Sequence, residues 1–167
     1  MPIDLSPTWA NEELDAWRES VARFVEDEVA PADAKAREQG HLDPSFWRRA
    51  GELGMLCTDI PDTFGGAGGD FRHEAVVHEE LARRSLLSLN TGVHSIAAHY
   101  FLNHGTLQQK EAFLPRMVTG ELVGALAMTE PGAGSDVQAI RTRAQLQGDE
   151  WVPVSYTHLR AHETDSY

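Results

Sequence analysis

Ala127-Met128-Thr129-Glu130-Pro131-Gly132-Ala133-Gly134-Ser135-Asp136 is the stretch on which the reading of this 167-residue chain turns. It follows an apolar run, Leu122 to Met128, that predicts a buried strand. A hydroxyl, a proline, two glycines and a second hydroxyl then come in quick succession. That composition suits a turn presenting backbone N–H groups and short donors to a bound molecule.

Working back from this turn, the chain reads as helical. Leu14, Trp17, Val21, Phe24, Val25 and Val29 recur at spacings of three and four, predicting a helix over 11–29 that Ala30-Pro31 ends or redirects. A short acidic-basic segment follows and stops near Gly40. Asp43 fits an N-cap with Pro44 at the first helical position, and Leu42 and Trp47 fall where a hydrophobic staple would sit. Pro61 to Asp70 is a glycine-rich loop anchored by Phe64, and a third helix spans Phe71 to Arg84. Asn90 to about His104 predicts a helix with little solvent exposure. Thr106 and Gln109 form a capping-box pattern for a helix burying Phe113, Leu114, Met117 and Val118 and ending at Thr119-Gly120.

Beyond that point the period changes. Ile140 to Leu146 alternates apolar and polar residues, Gly148-Asp149 is a turn, and Trp151-Val152 begins a returning strand that Pro153 interrupts. Two or three strands cannot close a core by themselves. The expected fold is therefore mainly α: a helical domain over 1–120, then the first strands of an incomplete β domain over 121–152. Residues 153–167 have no sustained period, and are expected to be a tail without ordered structure and foreign to the rest.

Composition narrows the function. A net charge of −12 with no basic stripe argues against nucleic acid and against an anionic membrane surface. No apolar stretch is long enough to span a bilayer. Cys57 is the single cysteine, which rules out an intrachain disulfide and points to a reducing, cytoplasmic setting. With no His or Cys partner in view, Cys57 reads as a small buried hydrophobe. His94, His99 and His104 lie five apart and match no zinc motif, so none reads as a metal ligand, and His94 and His99 read as packing or pocket-lining groups. Glu79 and Glu80 beside His78 point in different directions on a helix and read as solvated or capping residues. Glu130 is expected to order the turn, and Trp17 and Trp47 to anchor the core. Gly65 to Gly69 lacks the Lys-Ser/Thr ending of a nucleotide loop.

Taken together, the motifs resemble the acyl-CoA dehydrogenase family, most closely its long-chain branch. The resemblance rests on residues 127–136, on Pro61 with Phe64-Gly65-Gly66, and on His104-Gly105-Thr106 through Gln109-Lys110 to Leu114-Pro115. Gly120-Glu121 and Gly148-Asp149-Glu150-Trp151 also fit, in the same order, over roughly residues 11–152.

It implies an N-terminal helical domain, a β-barrel-like middle domain and a C-terminal helical bundle, with FAD between the last two and a neighbouring subunit. Leu126, Ala127, Met128, Thr129, Gly134 and Ser135 would belong to the first FAD segment. Thr129 would bond the flavin pyrimidine edge, assisted by the Met128 N–H. Ser135 would touch both the cofactor and the pantetheine of acyl-CoA. The helical domain would border the acyl chain.

The resemblance also implies fatty-acid β-oxidation chemistry, an electron-transfer flavoprotein as electron acceptor, and a homotetramer. The family's general base is a glutamate of the C-terminal domain, so no catalytic residue is assigned here. The chain reads as an N-terminal fragment, inactive alone. Competing readings are a non-catalytic helical interaction domain without flavin and, more weakly, a small anion-binding module built on the glycine turn.

Overall fold

The computed structural model describes residues 8–86 and 88–154. The internal contacts fall into two compact units divided between Ala125 and Leu126. The first unit contains six α-helices: α1 (Glu12–Phe24), α2 (Ala30–Gln39), α3 (Pro44–Glu52), α4 (Phe71–Arg83), α5 (Thr91–His104) and α6 (Leu107–Val118). The second contains a single hairpin, β1 (Arg143–Gln147) paired antiparallel with β2 (Glu150–Val154).

The first helix does not stop at Ala30-Pro31. A π-helical turn, Val25–Val29, joins α1 to α2, and the Ala30 N–H reaches back to the Val25 carbonyl. A proline inside an α-helix lacks its N–H and presses its ring against the carbonyl four residues earlier. The wider π turn immediately before Pro31 relieves that clash, so the helical path continues to Gln39. The acidic-basic segment after Pro31 is therefore helix. Gly40 ends it in the left-handed conformation, φ 79°.

The other helix starts follow their side-chain caps. Asn11 accepts from the Leu14 N–H, Asp43 from Ser45, and Asp70 from Arg72. Thr106 and Gln109 bond reciprocally as a capping box. One apolar cluster gathers Val21, Phe24, Val25 and Val29 with Ala50, Leu56, Val76, Val77 and Leu81. A second gathers Ile60, Ala97, Ala98, Leu114, Met117 and Val118. Trp17 and Trp47 pack against the first cluster, each half-buried.

Four expectations about exposure and strand content need correction. Helix α5 is not enclosed, since Ile96 and Tyr100 are 50% and 57% exposed. Only the face carrying His94, Ser95, Ala97 and Ala98 meets the core. Phe113 is not buried with Leu114 but lies on the surface, stacked on Phe101 with ring centroids 4.7 Å apart.

Leu122 to Met128 is not a strand. Its beginning is tied to helices instead: the Leu122 N–H bonds the Arg116 carbonyl at 3.0 Å and the Gly124 N–H bonds His94 Nδ1 at 2.9 Å. No strand among the described residues lies beside this run to complete a ladder.

Pro153 does not break the hairpin either. It pairs in register with Ala144, which a two-stranded ribbon allows because each strand has a free edge where a missing N–H costs nothing. The rest of the expected tail, residues 155–167, lies outside the described residues.

Candidate functional site

In the second unit, the turn that opened the sequence reading is held by Glu130. The backbones of Glu130 and Ala133 exchange hydrogen bonds of 2.9 and 3.1 Å, closing the turn on itself. The Glu130 carboxylate accepts from the Arg141 N–H at 2.9 Å and the Thr142 N–H at 2.8 Å, and also from the Thr142 hydroxyl. These bonds hold its carboxyl below the ordinary glutamate range, so the charge is spent on ordering backbone. Asp136 caps the short 3-10 turn Val137–Ala139 through the Gln138 N–H.

The flavin-segment candidates sit on this scaffold with their polar groups outward. Ala127, Met128, Thr129, Gly134 and Ser135 are exposed, and Leu126 is half-buried. Gly132 and Gly134 have no positive φ, and a Cβ built at either meets nothing within 4 Å. Neither backbone conformation nor packing within the chain therefore requires glycine at these places. The residues fit a ligand that approaches the backbone closely and presents acceptors to Thr129, Ser135 and the Met128 N–H.

A cleft of about 630 Å³ lies in the helical unit, between α4 and α5, and sequence reasoning did not find it. Phe71, Ile96 and Tyr100 make an apolar rim. Below them runs a continuous polar chain. His78 Nε2 lies 3.2 Å from Glu74, Ser95 donates its hydroxyl to Glu74 at 2.8 Å, and His99 Nε2 lies 2.9 Å from Asp59. The signal was present as two i,i+4 pairs, Glu74/His78 on α4 and Ser95/His99 on α5. What was missing was the tertiary fact that these pairs meet through the Ser95–Glu74 bond, with Asp59 holding His99.

The His99 ring is squeezed between two oxygens: Nδ1 is 2.9 Å from the Ser95 carbonyl and Nε2 is 2.9 Å from the Asp59 carboxylate. Both nitrogens can donate only in the imidazolium form. Burial lowers its pKa, but the Ser95 carbonyl and Asp59 outweigh this and raise it overall. Glu74 shows the same contest with the opposite sign. Burial raises its carboxyl, yet His78 and Ser95 hold it below the ordinary range.

His94 is a different kind of group. It is fully buried, with Nε2 3.0 Å from the Met117 carbonyl and Nδ1 accepting from Gly124. That is one neutral tautomer with both nitrogens satisfied, and burial lowers its pKa. Its ring packs on Trp47 with centroids 5.5 Å apart. His94 is thus a packing residue, whereas His99 and His104 line the cleft.

Two other sequence readings are settled by the helical unit. Glu79 and Glu80 do converge, on the Arg18 guanidinium: Glu79 reaches one terminal nitrogen at 2.6 Å and Glu80 the other at 2.9 Å. Glu80 is buried rather than solvated, and Arg84 holds its second oxygen at 2.8 Å. The planar fork of arginine spans two directions that no single atom could join. Cys57 is buried, and burial foremost, then Glu74 and Asp59, push its thiol up to about 12. It is inert as a nucleophile.

Among the described residues no group of three or more His, Cys, Asp or Glu is arranged to hold a metal. No helix among them is long and apolar enough to cross a membrane.

Comparison with known proteins agrees with the geometry. Residues 11–121 match the model of the acyl-CoA dehydrogenase N-terminal domain. The mitochondrial long-chain specific acyl-CoA dehydrogenase of Rattus norvegicus is 41% identical over 141 residues, 84% of this chain and 33% of its own length. The mitochondrial isovaleryl-CoA dehydrogenase of Bos taurus is 35% identical over 156 residues, 91% of this chain and 37% of its own. The chain thus spans about a third of the length of the curated relatives it matches.

Among solved structures, an acyl-CoA dehydrogenase from Geobacillus kaustophilus superimposes with a TM-score of 0.84 at 36% identity. It covers 90% of this chain and 40% of that one. An acyl-CoA dehydrogenase complexed with FAD, from Bacillus anthracis, gives 0.81 at 31% identity over 90% of this chain and 27% of that one. With residues 11–121, two thirds of its length, matched to that domain, the chain belongs to the acyl-CoA dehydrogenase family, of which it carries the N-terminal helical domain.

Proposed function

We propose that this chain is the N-terminal part of an FAD-dependent acyl-CoA dehydrogenase in which Leu126 to Ser135 form the first cofactor segment. The observation that carries this is the pair Gly132 and Gly134, glycines that nothing inside the chain requires, beside exposed Thr129 and Ser135. Leu126, Ala127 and Gly134 give the segment its path along the cofactor. The Thr129 hydroxyl and the Met128 N–H would hold the flavin pyrimidine edge, and Ser135 would lie against both cofactor and pantetheine. When bound, the flavin supplies the acceptor for the β hydride after the α proton leaves the acyl thioester, giving a trans-2-enoyl-CoA.

The residues of this chain position and polarise. Donors at Thr129 and Met128 would face the place where negative charge develops, where preorganised hydrogen bonds are most effective. Glu130 holds the turn in shape from behind, bonded to the backbone of Arg141 and Thr142. In the helical unit, the α4–α5 cleft receives the acyl chain past Phe71, Ile96 and Tyr100.

The domain division we favour keeps 1–120 as the helical domain and begins the middle domain at 121, with its hairpin running to Val154. The parent passes electrons to an electron-transfer flavoprotein, assembles as a homotetramer and works in β-oxidation. The lone buried Cys57 supports a reducing, cytoplasmic setting.

Amide NMR of the chain titrated with FAD tests the cofactor segment. Shifts confined to 126–135 and lost in Thr129→Val and Ser135→Ala are expected; shifts elsewhere only would sink the assignment. No dehydrogenation of acyl-CoA with an artificial acceptor is expected from the chain alone, and measurable turnover would overturn that.

A further inference from the structure

We propose that the α4–α5 cleft selects acyl groups bearing a hydroxyl near their far end and rejects those ending in a carboxylate. The inference rests on the reading that this cleft receives the acyl chain. Its volume, about 630 Å³, suits a small apolar ligand. The rim is apolar but the floor is not: Asp59, Glu74, Ser95 and His99 lie beneath it in one hydrogen-bonded chain.

A plain alkyl end lowered into this cleft would strip water from the exposed Asn103 carboxamide and from His78 and return no hydrogen bond, which is costly. A hydroxyl replaces the lost water because it both donates and accepts. Partners for it stand at the side of the cleft. Asn103 carries an exposed carboxamide with both functions, and His78 offers its second ring nitrogen, since only Nε2 faces Glu74. A site built to bond a hydroxyl discriminates sharply against the analogue lacking it.

Charge then decides against a carboxylate end. Asp59 and Glu74 contribute two negative charges to the lining, and the His99 imidazolium, bound between Asp59 and the Ser95 carbonyl, offsets one of them. A carboxylate would therefore meet the Asp59 and Glu74 carboxylates in a cleft that no Lys or Arg lines among the described residues.

The test uses the whole chain and three N-acetylcysteamine thioesters, octanoyl, ω-hydroxyoctanoyl and suberyl, titrated by calorimetry. These carry the acyl part without the nucleotide, so a missing cofactor wall does not interfere. The hydroxylated ligand should bind about tenfold tighter than octanoyl, and suberyl more weakly than either. Asn103→Leu should reduce the hydroxyl preference severalfold, while Asn103→Gln keeps it.

Octanoyl binding as well as or better than the hydroxylated ligand overturns the selectivity and leaves the acyl reading standing. Suberyl binding as tightly as octanoyl overturns the carboxylate rejection. No binding of any of the three overturns both the selectivity and the acyl reading of the cleft.

Discussion

The helical unit and the hairpin unit answer the same physical demand in opposite ways. Helices α1 to α6 bury their apolar faces against one another, with Val21, Ala50, Val76, Ala98 and Leu114 all at zero exposure. The hairpin pairs Leu146 with Trp151 across its two strands, yet leaves them 57% and 67% exposed. A helix pair completes its hydrogen bonds internally and needs only a partner face, whereas a two-stranded ribbon has no second layer to cover it. Stability should therefore reside in the first unit, and apolar surface in the second.

Truncating one leucine in each unit gives the largest contrast. Leu114→Ala should lower stability by about 2–5 kcal/mol, the cost of a cavity in a packed core. Leu146→Ala should change it by less than about 0.5 kcal/mol. Urea unfolding followed by helical circular dichroism measures both, and equal losses would erase the distinction between the units.

Glycines sharpen the same comparison. A Cβ on Gly66 would sit 1.9 Å from the Ile60 carbonyl oxygen, and one on Gly120 would sit 2.2 Å from that of Trp47. Gly66→Ala should therefore cost about 3 kcal/mol, since backbone must move to admit the methyl group. Gly134→Ala should leave the unfolding midpoint unchanged while removing the FAD-dependent amide shifts of its segment. A Gly134→Ala chain that unfolds early would make that glycine a structural one.

Much of the helical unit was legible in the sequence because its signals are local. Asp43-Pro44, Asp70 and Thr106 with Gln109 mark helix starts through bonds made within three residues, and Gly40 marks a stop. Pro31 misled, since a proline reads as a terminator unless the turn before it widens. The strand expected at Leu122 to Met128 failed for a different reason. An apolar run does not carry its own partner, and here the His94 ring and the Arg116 carbonyl take the first N–H groups. The turn at 127–136 was visible as a glycine pattern, but the cleft was not, because Asp59, Glu74 and His99 are brought together by tertiary structure alone.

Loss of the α6 cap is a smaller effect. Thr106→Ala removes the acceptor for the Gln109 N–H, 3.2 Å away, and should cost about 1 kcal/mol. Thr106→Ser should restore most of that in the same urea experiment. If serine does no better than alanine, the methyl group rather than the hydroxyl matters at this position.

The smallest expected effect is also the most diagnostic, because two histidines five residues apart on α5 should respond to pH in opposite directions. His94 is buried as a neutral ring and its pKa is lowered in the folded chain. Its contribution is complete above the unfolded value of about 6.5 and is lost as pH falls through the folded one. His99 is held as the imidazolium and its pKa is raised, so its contribution is complete below about 6.5 and is lost as pH rises through the folded value.

Unfolding free energies measured between about pH 5 and pH 8 should pass through a shallow maximum between these two losses. His99→Gln should flatten the alkaline side alone. His94→Gln should flatten the acid side, because an amide can donate to the Met117 carbonyl and accept from Gly124 without titrating. A His99→Gln chain that keeps the full alkaline decline would show that Asp59 and the Ser95 carbonyl do not hold the charged ring. The polar chain under the cleft would then lack the positive charge assigned to His99.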